Sequence, residues 1–127
     1  MNPKHWHHPE TLEELQNLPK DACFLSLWQI ATLTSEDLFM IPKGVERLNI
    51  MKCNMIESLE ALHHLVNLNC VWCNNCLNIR QDDVDKLRAR EVLVDTGGCS
   101  QLRHMDVAME KKLDIVGYDS FGNWVTF

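Results

Sequence analysis

The sequence predicts an α/β fold in which short parallel strands stand side by side, each followed by a turn and a short helix. Three observations predict it. Leu48-Asn-Ile50-Met-Lys-Cys53-Asn54 returns twenty residues later as Leu68-Asn-Cys70-Val-Trp-Cys73-Asn74. Weaker copies flank that pair, Leu25-Ser-Leu27-Trp-Gln-Ile30 upstream and Val92-Leu-Val94-Asp-Thr-Gly97 downstream. The stretches between copies carry apolar residues at three-residue steps and acidic residues at helix starts, signals of short helical segments. Self-similarity at this period marks a stacked array, because one such unit cannot cover its own apolar side.

The elements follow in chain order. Thr11-Leu-Glu-Glu14 reads as a capping box, with the Thr hydroxyl taking a free helix amide and the Glu reaching back. Leu12, Leu15 and Leu18 form an apolar stripe and Pro19 stops the helix, so residues 1–21 form a tail and an N-terminal cap. After the first strand, Thr34, Ser35 and Asp37 precede Leu38, and Pro42-Lys-Gly44 ends that segment. After the second, Ile56, Leu59, Leu62 and Leu65 recur every three residues, which suits a short helix or a 3₁₀ segment. Ser58 is placed to cap it, with Ala61 and His63 facing out. After the third, Asp82 and Asp83 stand ahead of Val84 and Leu87, acids at a helix start. Residues 22–102 thus hold about four strand–turn–helix units. In residues 103–127, Ile115-Val-Gly-Tyr118 and Asn123-Trp-Val-Thr-Phe127 flank a Gly-containing connection, the pattern of a β-hairpin. Such a hairpin would close the edge of the last parallel strand.

The form L-x-[ILC]-x-x-C-N, at spacings of roughly 20–29 residues, resembles the leucine-rich-repeat family, especially its cysteine-containing variety. The resemblance spans about residues 22–102. It implies a short leucine-rich-repeat-like solenoid, with an N-terminal helical cap and a C-terminal β-hairpin, forming a single domain over residues 1–127. It also implies a recognition scaffold and not a catalyst.

Composition fits one globular domain: 127 residues, 46% of them apolar. No run approaches the roughly 20 apolar residues of a membrane span. The first residues, Met1-Asn-Pro-Lys-His-Trp-His-His8, lack the apolar centre of a signal peptide. A cytoplasmic protein is therefore expected. The net charge of -6 argues against nucleic acid and anionic membranes as partners and favours a basic protein.

Two clusters invite a metal. Cys70, Cys73 and Cys76 form C-x2-C-x2-C, a spacing whose thiolates can converge on zinc or an iron–sulfur cluster. The repeat offers another account. It sets Cys70 at the buried position of Ile50 and Cys73 at the turn position of Cys53, and free Cys packs as a small apolar residue. The core reading is preferred, with no cofactor, and the three-cysteine ligand set is the alternative. Cys23 and Cys76 are the cysteines that this repeat explains least. His5, His7 and His8 lie in the expected loose tail, and His63 and His64 on the helical side in solvent. No phosphate-binding, dinucleotide, zinc-protease or serine-hydrolase motif is present.

What remains is a surface. Alternate strand residues face away from the core. If Leu25/Leu27, Leu48/Ile50, Leu68/Cys70 and Val92/Val94 point inward, the concave rows are Phe24, Ser26, Trp28; Arg47, Asn49, Met51; Asn67, Asn69, Val71; and Glu91, Leu93, Asp95. Aromatic residues, Met and Arg are the types enriched at protein interfaces. The sequence thus points to a non-catalytic protein-binding module using these rows, as an inhibitor or immunity-type protein or an adaptor.

Overall fold

The computed structural model describes residues 5–99, 101–102, 116–118 and 124–126. The chain is an α/β protein. Five strands, β1 (Trp6–His7), β2 (Phe24–Ser26), β3 (Arg47–Asn49), β4 (Cys70–Trp72) and β5 (Leu93–Asp95), form one parallel sheet in sequential order. Helix α1 (Leu12–Gln16), 3₁₀ helices at Glu36–Met40 and Glu60–His64, and helix α2 (Gln81–Ala89) connect them in turn. Strands β6 (Val116–Tyr118) and β7 (Trp124–Thr126) pair antiparallel, the expected hairpin. They form a two-stranded sheet of their own.

The register corrects the repeat. Phe24 pairs with Arg47, Arg47 with Cys70, and Cys70 with Leu93, each partner 23 residues further on. Leu48 therefore faces Val71 and not Leu68. The twenty-residue match was built on two Cys-Asn pairs, but the true counterpart of Cys53 is Cys76. The error is three residues. An odd slip moves a strand's side chains to the opposite face.

With a period of 23 the core falls into four ranks, all at most 6% exposed: Leu25, Leu48, Val71, Val94; Leu27, Ile50, Cys73, Thr96; Ile30, Cys53, Cys76, Cys99; and Leu33, Ile56, Ile79, Leu102. The ladder runs on past the strands. The amides of Leu27, Ile50 and Cys73 donate to the carbonyls of Asn49, Trp72 and Asp95 at 2.8–3.0 Å. Leu38, Leu62, Val84 and Leu87 add the buried side of the helices. Burying side chains of this size stabilises by roughly 1.5–3 kcal/mol each relative to exposure.

The first strand was not foreseen, and residues 6–7 are not a loose tail. Trp6 pairs with Phe24 and His7 with Leu25. In sequence, His7-x-Pro9-x-x-Leu12-x-x-Leu15 is a shortened copy of Leu25-x-Leu27-x-x-Ile30-x-x-Leu33. Pro9 and Leu15 are buried like their counterparts.

The helix signals hold in their main parts. Thr11 Oγ1 accepts from the Glu14 amide at 3.1 Å, and the Glu14 carboxylate accepts from the Glu10 amide, one residue ahead of the cap. Asp37 accepts from both the amide and hydroxyl of Thr34. Ser58 Oγ accepts from the Glu60 amide at 3.2 Å. Ala61, expected to face out, is buried at 3% exposure. His63 and His64, expected in solvent, are half-buried. The His64 ring nitrogens face the carbonyls of Ala61 and Ile41, and the ring stacks on Phe39.

Candidate protein-binding face

Two rows of side chains line the sheet face opposite the four core ranks. Strand pairing sets Trp6, Phe24, Arg47, Cys70 and Leu93 in one row. It sets Ser26, Asn49, Trp72 and Asp95 in the next. The Trp6 and Phe24 rings lie 5.2 Å apart, tilted by 43°. The Arg47 guanidinium sits 4.8 Å over the Phe24 ring, a cation–π contact worth roughly 0.5–1 kcal/mol at an exposed site. Cys70 and Trp72 form a small apolar cluster with Trp6 and Leu93, separate from the main core.

Of the twelve residues the sequence named, six stand in these rows: Phe24, Ser26, Arg47, Asn49, Leu93 and Asp95. Trp28 and Met51 follow β2 and β3 and are half-buried. The third set is corrected. Val71 is a core residue at 0% exposure. Asn67 and Asn69 precede β4, although both are exposed. The rows have Cys70 and Trp72 instead, which the sequence could have supplied through Val71-x-Cys73-x-x-Cys76, the copy 23 residues after Leu48-x-Ile50-x-x-Cys53. Leu68 is in the core but matches Val45, not Leu48. Cys70 faces the second face, not the core as expected. Glu91 is exposed and lies before β5, at the end of α2, with φ +64.

The middle of the face is closed. Ser26, Asn49, Cys70 and Trp72 are 0–4% exposed. Asn49 uses its amide oxygen on the Met51 amide at 2.9 Å, and Asp95 uses a carboxylate oxygen on the Gly97 amide at 2.9 Å. These are Asx-turns, which fix the chain where it leaves the sheet. The partly exposed part of the face is therefore Trp6, Phe24, Arg47 and Leu93, with Trp28 and Met51 beyond the strand ends.

The three cysteines of C-x2-C-x2-C fall on two faces of the sheet. Cys73 and Cys76 lie in the core and Cys70 on the other face, so the C-x2-C-x2-C thiols do not converge. Among the described residues no three His, Cys, Asp or Glu side chains come together as a metal-holding group. The thiols serve backbone instead. Cys53 donates to the Leu27 carbonyl at 3.7 Å, Cys76 to Ile50 at 2.9 Å, and Cys99 to Cys73 at 3.1 Å. Burial pushes the Cys53 and Cys76 thiols up to about 12 and raises Cys70. Cys73 is raised by its hydrogen bond to Cys99 and by burial, while that bond and the amides of Cys76 and Asn75 hold Cys99 down to about 7. The His5 and His7 rings are 4.3 Å apart, and burial and then His5 lower the His7 pKa.

No protein-family model matches the chain, and no curated protein matches it closely enough to report. Among the described residues no helix is long and apolar enough to cross a membrane.

Proposed function

We propose that this chain is a leucine-rich-repeat-like scaffold that binds another protein through the Trp6–Phe24–Arg47 end of its strand face. The observation that carries the reading is that cluster: two aromatic rings 5.2 Å apart with a guanidinium over one of them. All three side chains are partly exposed on adjacent strands of a rigid parallel sheet. Trp and Arg are enriched among the residues that dominate measured interface energetics, and Phe is enriched at interface cores. A sheet that holds them in place before contact reduces the ordering cost of binding.

The partner is a protein, and the net charge of -6 favours a basic one by steering its approach. The role is non-catalytic, of the inhibitor, immunity or adaptor kind, and the protein acts in the cytoplasm. The repeated Cys-to-carbonyl ladder supports the leucine-rich-repeat likeness, since it gives Cys53, Cys76 and Cys99 the same structural task in successive repeats.

The test is site-specific photocross-linking. A benzophenone amino acid replaces Phe24 in one variant and Val66, 77% exposed and away from the face, in another. The expected result is one cross-linked protein at position 24, none at 66, and loss of capture when Arg47→Glu is added. Equal capture from both positions, or capture indifferent to Arg47→Glu, overturns the reading.

A further inference from the structure

A cavity of about 460 Å³ opens between α1 and the first 3₁₀ helix. It falls within the roughly 300–1,000 Å³ of small-molecule sites. Its walls are mixed: Leu15, Leu18, Met40, Ile41 and Pro42 give apolar surface, and Gln16, whose side-chain amide donates to Met40 Sδ at 3.3 Å, gives polar surface. Two of these, Leu15 and Ile41, are core residues, so the floor is set by the packing of the fold. Lys20 and Lys43 also line it, both exposed. One comes from the segment after α1 and the other from the segment after the 3₁₀ helix, so they reach the cavity independently. In a chain with 18 acidic and 12 basic residues, the two charged residues that line this cavity are both lysines.

We infer that this cavity binds an amphipathic monocarboxylate, a fatty-acid-like molecule with its hydrocarbon tail on Leu15, Leu18, Met40 and Ile41 and its carboxylate held by Lys20 and Lys43. The tail covers the partly exposed side chains of Leu18 and Met40 over the buried floor, which is the favourable term. The head pairs with ammonium groups at the rim, where neither the ligand charge nor the lysines must be desolvated. A neutral or cationic amphiphile would gain the first term only. The inference stands apart from the strand face, and neither depends on the other.

The test uses the full chain labelled with [¹³C-methyl]methionine, titrated with decanoate below its micelle concentration. The Met40 methyl resonance, assigned by Met40→Leu, should shift saturably. Decyltrimethylammonium should produce no saturable shift, and decanol should bind at least tenfold more weakly than decanoate. Lys20→Glu with Lys43→Glu, both at exposed positions, should weaken decanoate at least tenfold with the circular dichroism spectrum unchanged. An unmoved Met40 resonance overturns the inference, as does equal binding of the three amphiphiles. Binding of an acidic leucine-containing peptide in place of decanoate also overturns it.

Discussion

The thiol of Cys76 donates to the carbonyl of Ile50 at 2.9 Å, one repeat back. The same carbonyl already accepts the Cys53 amide at 3.2 Å, closing the turn of its own repeat. Both lone pairs of a buried oxygen are thereby used, one within the repeat and one between repeats. Cys53 stands in the same relation to Leu27, and Cys99 to Cys73. A small donor suits Cys53, Cys76 and Cys99 in this rank, because each is buried with a carbonyl of the preceding repeat in reach. Cys meets both conditions.

Cys76→Ala should therefore destabilise the protein by about 2 kcal/mol, adding a small cavity to a lost partner for the Ile50 carbonyl. Cys23→Ala, at a half-buried site outside the ranks, should cost less than about 0.5 kcal/mol. Urea denaturation at fixed slope measures both. Equal costs would mean that the ladder contributes nothing beyond ordinary packing.

The turn after each strand predicts a stabilising change. Lys52, Asn75 and Gly98 occupy the same place in successive repeats, and all have positive φ, +62°, +61° and +80°. Glycine adopts this conformation freely and Asn tolerates it, whereas a side chain such as Lys is strained there. Lys52→Gly should raise stability by roughly 0.5–1 kcal/mol, net of the entropy gained by the unfolded chain. Gly98→Ala should do the reverse by more, because an added Cβ would stand 2.1 Å from Asn75 Oδ1. Thermal melts of the two variants should move in opposite directions.

These same positions show what the sequence disclosed. The parallel strands, their helical connections, Thr11, Ser58 and Asp82 as helix-start residues, and the terminal hairpin were legible, because each is local. The period was not. Cys53-Asn54 and Cys73-Asn74 are identical pairs twenty residues apart, whereas strand pairing makes Cys76 the structural match of Cys53. Identity outweighed the weaker but consistent apolar pattern, and an odd slip then turned Cys70 inward and Val71 outward. Trp6 was missed because its repeat is shortened, with His7 where other copies have Leu or Val and Pro9 where they have Leu, Ile, Cys or Thr. The burial of Ser26 and Asn49 was beyond strand alternation, which assigns a face but not its exposure.

The N-terminal cap makes a third prediction. Helix α1 has only five residues, too few to hold by propensity. Its first turn depends on Thr11 Oγ1 taking the Glu14 amide and on the Glu14 carboxylate taking the Glu10 amide. Thr11→Ala should cost about 1 kcal/mol. Hydrogen exchange at residues 12–16 should accelerate more than at β3. A uniform change across both would show that the helix opens only with the whole fold.

The buried thiols make stability fall at alkaline pH. A free thiol in the unfolded chain ionises near 8.5, whereas burial holds Cys53 and Cys76 protonated up to about 12. Above that unfolded value the unfolded chain has released protons that the native chain still binds, so stability drops as pH rises. The slope is about 1.4 kcal/mol per pH unit for each such thiol. Cys70 and Cys73, also raised, act in the same direction. Cys99 opposes them. Held down to about 7, its contribution is complete above the unfolded value and is lost as pH falls through 7. Four thiols against one make the alkaline loss dominate. The urea midpoint should fall steeply between pH 8.5 and 10.5. The double variant Cys53→Val, Cys76→Val should fall less steeply, because lysine and tyrosine titration is common to both proteins and only the thiols differ. Parallel curves would mean that these two thiols ionise as readily in the fold as out of it, and that burial at the third rank does not set their protonation.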